Sequence, residues 1–144
     1  MQLTRHTDYS LRVLIHLAVH PEELATIEQI ARAYGISKAH LMKIVHQLGL
    51  AGYVDTVRGR GGGLRLARPP QQIRVGEVVR RTETTSLVEC FDPATSRCRI
   101  EPACGMRTAL KEALEAFFRT LDGYTLSDLV ERRRTSLARL LAAS

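Results

Sequence analysis

Three segments in the first fifty residues have apolar positions that recur with the period of an α-helix. In residues 7–19 the apolar positions fall at i, i+3, i+4 and i+7, which places them on one helical face. These positions are Leu11, Leu14, Ile15 and Ala18. Thr7 is predicted as the N-cap of this helix, because its hydroxyl can accept a backbone N–H of the first turn.

The second and third segments form a helix-turn-helix pattern. Thr26 predicts the start of a helix that ends at Gly35, and a further helix is predicted over residues 38–50 with Ser37 as its N-cap. In the helix over 38–50, the face opposite the apolar side comprises Ala39, Met42, Lys43 and His46. Two helices joined by a short turn with glycine are typical of a helix-turn-helix that reads DNA, although many helical hairpins share the pattern.

A β-hairpin is predicted directly after these helices. Residues 53–57 and 63–66 have the composition of two short strands, and the segment between them is rich in glycine and carries Arg58 and Arg60. In this position a hairpin is typical of the wing of a winged helix, whose glycines let the tip approach phosphates and whose arginines enter the minor groove. The alternative is a solvated hairpin whose arginines only aid solubility.

The rest of the chain is predicted to be helical except for one long loop. The pattern indicates a short helix over 75–83, an aperiodic segment over 84–99, a long helix over 104–121 and a last helix over 126–141. Thr125 and Asp128 have the spacing of a capping box at the start of the last helix, although the acid is Asp rather than Glu or Gln.

The long helix has a broad apolar stripe and no neighbour in sequence of similar length. The stripe comprises Met106, Leu110, Ala113, Leu114, Phe117 and Leu121. A twofold dimer through this helix would cover the stripe, whereas a hairpin folded back on its own domain is the alternative. The predicted fold is therefore mainly α with a small β-hairpin wing: a winged helix-turn-helix domain plus a long dimerisation helix. The predicted parts are residues 1–83 (DNA binding), 84–104 (the cysteine loop) and 105–144 (dimerisation helix and C-terminal helix).

Charge and composition limit the possible functions. The formal net charge of +6 is compatible with a polyanionic partner such as double-stranded DNA, but it is weak evidence alone. The sequence has no apolar run long enough to span a membrane and no apolar signal core, so we expect a cytoplasmic protein. It also has no nucleotide-binding glycine motif that opens a helix and no catalytic constellation, so an enzyme is not expected.

All three cysteines, Cys90, Cys98 and Cys104, lie within fifteen residues of one another. Three thiols cannot all pair, and a chain that is not exported keeps thiols reduced, so metal or redox chemistry is favoured over disulfides. Their spacing matches neither zinc knuckles nor ferredoxins, and three ordinary thiols in a mobile loop remain the alternative. Cys104 is predicted at the start of a helix, where the helix dipole favours a thiolate.

Several short motifs together resemble a known family. They are Met1-Gln2-Leu3-Thr4 with Thr7-Asp8-Tyr9, residues 48–53 leading into 57–63, residues 86–90, Pro102-Ala103-Cys104, and residues 121–129. With these motifs, essentially the whole chain resembles the iron–sulfur transcription regulators of the IscR and NsrR type, most closely the nitric-oxide-sensing repressors among them. Each motif is modest alone, and their combination is specific.

The resemblance implies a cofactor and its ligands. Cys90, Cys98 and Cys104 are implied as thiolate ligands of an iron–sulfur cluster, 4Fe–4S rather than 2Fe–2S, with Asp8 of the other subunit as the fourth ligand. An oxygen ligand is a poor match for iron beside three thiolates, so this corner is expected to be labile and open to a small diatomic ligand. Without the resemblance, Asp8 would be an acid that stabilises the first turn of a helix. His6, close to it in sequence, is a reserve ligand.

The resemblance also implies a function. The chain is expected to be a homodimeric repressor that binds its DNA operator and releases it when the cluster reacts with nitric oxide. The residues expected to contact DNA are Ser37, Ala39, Met42, Lys43, His46, Arg58 and Arg60. A regulator of the same fold that senses iron, oxidants or cluster supply is an alternative, as is a zinc-clipped DNA-binding module without a sensing role.

Overall fold

The computed structural model describes residues 2–142, which form a mainly helical structure with one antiparallel pair of strands. Its helices are α1 (Arg5–Val19), α2 (Ile27–Tyr34), α3 (Lys38–Leu50), α4 (Val75–Thr82), α5 (Gly105–Asp122), α6 (Leu126–Val130) and α7 (Arg134–Ala142). The strands are β1 (Val54–Val57) and β2 (Gly63–Leu66), and single 3-10 turns lie at Pro70–Gln72, Glu89–Phe91, Glu101–Ala103 and Glu131–Arg133. Met1 and residues 143–144, which the predicted motifs and parts include, lie outside the described residues.

Helix α1 runs through the centre of the fold, and its predicted N-cap was wrong. The cap is Thr4, whose hydroxyl accepts the Thr7 N–H at 3.3 Å, whereas Thr7 is completely buried one turn into the helix. A distant partner explains why Thr4 is the N-cap, because the backbone N–H and hydroxyl of Thr4 both donate to the Glu83 carboxylate. Of the predicted stripe, Leu14 and Ala18 are fully buried and the other two members are half-buried.

The helix-turn-helix has the bounds and caps that the sequence indicates. Thr26 and Gln29 form a capping box at the start of α2, and Ser37 caps α3 by accepting the His40 N–H at 3.3 Å. Helix α3 buries the apolar side of its surface against α1 and α2. The buried residues of this side are Leu41, Ile44, Val45 and Leu48.

The wing packs on this helical core through the base of its hairpin. Strands β1 and β2 pair in the register Val54↔Leu66 to Val57↔Gly63, so the paired strand begins one residue later than predicted. Leu64 is buried and forms an isolated bridge with Ala25, which joins the wing to the segment before α2. The hairpin is therefore anchored at its base, while its tip projects from the core.

Helices α4 and α5 are held together by apolar packing around Phe118 and by an ion pair. Phe118 is buried with Val75 and Val79 in a small second core. Both nitrogens of the Arg80 guanidinium end donate to the Asp122 carboxylate at 2.6 Å. The N-terminal part of α5 extends beyond this joint, and its stripe residue Met106 is 62% exposed.

The predicted last helix is broken, so the prediction of one helix over 126–141 was wrong. A 3-10 turn at Glu131–Arg133 separates α6 from α7, although the Thr125–Asp128 capping box is confirmed. Packing explains the break. Leu126 and Val130 of α6 are buried in the main core, and α7 turns so that its own apolar residues reach α1 and α2 from another direction.

Candidate nucleic-acid interface and cysteine loop

The outward face of α3 is fully available to a partner. Ala39, Met42, Lys43 and His46 are all exposed, and Met42 is 59% exposed. Ser37 is exposed at the N-cap, where its oxygen accepts a backbone N–H and leaves the hydroxyl proton available for donation. The structure thus gathers these predicted residues on one exposed surface, and their contact with DNA stays a prediction.

The start of α3 is fixed in place by contacts with α2 and α1. The Lys38 Nζ lies 2.9 Å from the Glu28 carboxylate, and this hydrogen bond and charge lower the pKa of Glu28. The His40 and Tyr9 rings meet edge to face with centroids 5.1 Å apart. These contacts orient the surface of α3, and the sequence pattern did not indicate them.

The tip of the wing has a backbone that only glycine accommodates. Gly59 has a φ of 102°, and a Cβ atom at Gly62 would lie 2.2 Å from the carbonyl oxygen of Val57. Larger residues are therefore excluded at these two glycine positions. Arg58 and Arg60 are exposed at this tip, as expected for residues that reach a neighbouring surface.

The backbone of the cysteine loop is hydrogen-bonded to the start of α5 and to the turn that precedes it. The Arg107 Nε donates to the carbonyl oxygen of Cys90 at 3.2 Å and lies 3.8 Å from Glu101 Oε1. The backbone of Glu101 in turn bonds to both other cysteines, accepting from Cys104 N–H and donating to the Cys98 carbonyl, each at 3.3 Å. Cys90 is buried, Cys98 and Cys104 are half-buried, and all three thiols are free.

A single chain does not complete a metal site. Among residues 2–142, no three His, Cys, Asp or Glu side chains lie close enough together to hold a metal ion. Asp8 is separate from the loop and forms an ion pair with Arg12 at 2.9 Å. The donor chemistry nevertheless fits an iron–sulfur cluster, since the loop provides three unpaired thiols and soft thiolates are its preferred ligands. A fourth ligand would have to come from outside the loop.

A hydrogen-bonded link joins the start of α1 to the entry of the cysteine loop. The Glu83 carboxylate accepts from the Thr4 N–H at 2.7 Å and from the Thr4 hydroxyl at 3.1 Å. Partial burial opposes ionisation of Glu83, but these hydrogen bonds outweigh it and lower its pKa. We call this contact the Thr4–Glu83 link. It was not predicted, because no local pattern connects residues 79 positions apart.

Comparison with known proteins agrees with this architecture. Residues 3–132 match the model of the Rrf2 family, described as iron-dependent transcriptional regulators. The chain belongs to the Rrf2 family. Among its relatives in this family, the HTH-type transcriptional regulator NsrR of Bacillus subtilis is 56% identical over 135 residues, which cover 92% of each chain. NsrR of Geobacillus kaustophilus is 54% identical and covers 98% of this chain and 97% of its own.

Solved Rrf2-type structures have the same fold. CymR, the global cysteine regulator of B. subtilis, superposes with a TM-score of 0.75 at 30% identity, over 92% of this chain and 98% of CymR. The IscR of T. potens also gives a TM-score of 0.75, at 25% identity, over 92% of this chain and 88% of IscR.

These matches confirm three predictions: the fold, the family resemblance and a DNA-binding transcriptional regulator. Within the described part of the chain, no helix combines the length and apolarity needed to cross a membrane.

Proposed function

We propose that this regulator is a cytoplasmic homodimeric repressor whose affinity for operator DNA depends on an iron–sulfur cluster that reacts with nitric oxide. The observation that carries the proposal is a loop with three free cysteines whose backbone is tied to the start of α5, where Arg107 bonds to Cys90 and Glu101 bonds to Cys98 and Cys104. The resemblance to nitric-oxide-sensing repressors, and relatives named NsrR at about half identity, support the choice of signal.

We assign the cluster ligands as the resemblance implies. Cys90, Cys98 and Cys104 would hold a 4Fe–4S cluster together with Asp8 of the partner subunit. When bound, such a cluster supplies an iron with one exchangeable oxygen ligand, a site that suits a small diatomic molecule. To serve as that ligand, the Asp8 carboxylate must leave Arg12, and this is feasible because the ion pair is nearly half exposed to water.

The dimer would form through α5. Its stripe residues are exposed or only half-buried in one chain, and Met106 in particular is open to solvent. Pairing the stripe with its copy would bury apolar surface, which favours association. In this arrangement residues 105–144 dimerise, residues 84–104 hold the cluster and residues 1–83 bind DNA.

DNA recognition would use two exposed surfaces of residues 1–83. Ser37, Ala39, Met42, Lys43 and His46 would face the major groove, and Arg58 and Arg60 would reach the adjacent minor groove. A twofold dimer would place two such surfaces on successive half-sites of an operator.

The path from the loop to these surfaces runs through α1 and α4. The cysteine loop follows α4 directly, and the Thr4–Glu83 link connects its entry to the helix that carries Asp8. An ordered loop that also holds Asp8 of the partner subunit would fix the spacing of the two helix-turn-helix units. When these ligands are no longer held together, the spacing is released and the DNA affinity falls.

The central experiment follows the optical spectrum of anaerobically purified protein while nitric oxide is added. Binding to a duplex that the protein itself selects from a random-sequence pool is measured in parallel. We expect visible iron–sulfur absorption, its loss on nitric oxide addition and release of the duplex over the same range. Colourless protein with stoichiometric zinc and no iron would overturn the proposal.

A matched pair of variants tests the ligand assignment. Asp8→Ala should change the nitric oxide concentration that releases DNA, because the labile corner loses its own ligand. Glu112→Ala, an exposed acid on α5, is the control and should behave like the wild type. Release that is identical in Asp8→Ala and wild type would count against Asp8 as a ligand.

A further inference from the structure

Tyr53 lies at the junction of α3, the wing and α4. It is completely buried, and it is among the largest side chains with no exposed surface. Its backbone N–H donates to Leu48 of α3 at 2.9 Å, and its carbonyl oxygen accepts from Ala67, just after β2, at 2.9 Å. The residue is therefore built into the contact between the recognition helix and the base of the hairpin.

Two arginines from different elements are positioned at the Tyr53 ring. The Cζ of Arg68, two residues after β2, lies 4.7 Å from the ring centroid, and the Cζ of Arg81, in the last turn of α4, lies 5.7 Å from it. Guanidinium groups at these distances are attracted by an aromatic ring. Arg81 also donates to the carbonyl oxygen of Ala51 at the end of α3, at 3.4 Å.

One carboxylate holds this arrangement together. The Glu77 Oε1 lies 3.5 Å from an Nη2 atom of both Arg68 and Arg81, so a single oxygen of α4 faces both cations. Burial, followed by the neighbouring Glu77, raises the pKa of Tyr53 to about 12, so the phenol is neutral at physiological pH. Glu77 is thus the only anion that these contacts provide for two guanidinium groups.

Two polar atoms of the side chains around Glu77 have no hydrogen-bond partner within the described residues. The Tyr53 hydroxyl and the Arg68 Nε are both buried and have no hydrogen-bond partner among residues 2–142. Both atoms belong to side chains that face Glu77, and a buried donor without an acceptor is costly, so the position of the Glu77 carboxylate matters for both.

Helix α4 leads directly into the cysteine loop, and its other contacts join it to the start of α1 and to the end of α5. Glu83, which caps its end, forms the Thr4–Glu83 link, and Arg80 forms the ion pair with Asp122 of α5. Glu77 and Arg81 are separated by one helical turn, and they contact Arg68 and the Tyr53 ring at the base of the wing. Helix α4 therefore lies between the segment that leads into the cysteine loop and the base of the wing, with Glu77 and Arg81 on the wing side.

We propose that Glu77 is the positioning residue that transmits the state of the cysteine loop to the wing, by holding Arg68 and Arg81 against Tyr53. This inference rests on the proposed function, because it specifies how loop order changes DNA affinity. Glu77 does not itself contact DNA; it acts through the orientation of the hairpin that carries Arg58 and Arg60.

The test uses Glu77→Gln, which keeps the size of the side chain and removes its charge. Asp55→Asn is the control, because it breaks only the exposed Arg65–Asp55 pair inside the wing, at 3.8 Å. For each protein the Kd for the selected duplex is measured with and without cluster. In wild type and Asp55→Asn we expect the ratio of the two values to lie in the range of about 5–150 that is typical of allosteric coupling. In Glu77→Gln the ratio of the two Kd values should fall to within about twofold of one.

A second measurement is independent of the loaded protein. In cluster-free protein, hydrogen exchange of the β2 amides should be faster in Glu77→Gln than in wild type, while exchange in α2 stays the same. If Glu77→Gln does not fold, Tyr53→Phe removes only the hydroxyl and should produce a smaller decrease of the same ratio.

The outcomes separate the inference from the proposed function. A normal ratio in Glu77→Gln overturns the inference and leaves the proposed function intact. Equal weakening of both Kd values also overturns it, because that result indicates a purely structural role. A wild-type ratio of one overturns the proposed function and this inference with it.

Discussion

The helix-turn-helix with its wing and the cysteine loop differ in what holds them in place. The first is fixed by a continuous core, with side chains such as Leu41, Ile44 and Leu48 almost completely buried. In the loop, Cys90 is the only described residue that is buried, and hydrogen bonds within the loop and from Arg107 hold the loop in place. The comparison teaches that the core of one chain positions the exposed face of α3 and the wing, whereas the three thiols of the loop do not form a closed metal site within residues 2–142.

The largest expected effect tests the core of the DNA-binding part. Leu41→Ala should lower the free energy of unfolding by about 2–5 kcal/mol, because a fully buried side chain leaves a cavity. Its neighbour Met42 is 59% exposed, so Met42→Ala should change stability by about 0.5 kcal/mol or less and instead weaken DNA binding. Urea denaturation of the cluster-free protein checks both, and equal destabilisation by the two variants would contradict the orientation of α3.

A smaller effect is expected where α4 packs closely against the end of α5. A Cβ atom at Gly76 would lie 2.1 Å from the Asp122 carboxylate oxygen that pairs with Arg80. Gly76→Ala should therefore cost about 1–3 kcal/mol through displacement of α5 from α4. Gly105→Ala is the matched control, since its Cβ would meet nothing within 4 Å. In thermal melts, the melting temperature of Gly76→Ala should be clearly lower than that of Gly105→Ala. Similar melting temperatures would argue against the close contact between α4 and α5.

The Thr4–Glu83 link gives an effect that depends on pH. Because hydrogen bonds in the folded state lower the pKa of Glu83 below its ordinary value of 4.5, its contribution is present above that pH and is lost as the pH falls through the folded value. Glu83→Gln should make stability less sensitive to acid in this window. Denaturation midpoints between neutral and acidic pH test this, with Glu112→Gln as an exposed control that should retain the wild-type profile.

The smallest effect on stability is expected in the cysteine loop. Cys98 is only half-buried and the structure gives its thiol no disulfide, so Cys98→Ala should change the unfolding free energy of cluster-free protein by about 0.5 kcal/mol or less. Iron binding should nevertheless be lost. Iron analysis beside a urea titration checks both expectations, and a large stability loss in apo protein would assign Cys98 a packing role instead.

Several elements could be predicted from the sequence because their signals are local. Caps such as Thr26 and Ser37, together with the helical period, defined α2 and α3, and the glycines between residues 58 and 63 indicated the tip of the hairpin. These signals act over a few neighbouring residues, so one chain segment contains all the information. The three cysteines were likewise visible as a group because they are close in sequence.

The two wrong predictions show where such local signals fail. Thr4 and Thr7 are both able to cap α1, and the distant Glu83 selects Thr4. The last helix has no local signal for its break, which follows from the way α6 and α7 pack against the core.

By itself, the sequence determined the helical and strand segments up to residue 122, the exposed face of α3 and the set of thiols, since these depend on period, capping and composition. Only the tertiary structure decided that Arg107 bonds to the backbone of Cys90, that Thr4 bonds to Glu83, and that Glu77 faces Arg68. The physical reason is that these contacts join separate elements, and a charged side chain selects its partner only after packing has brought the elements together.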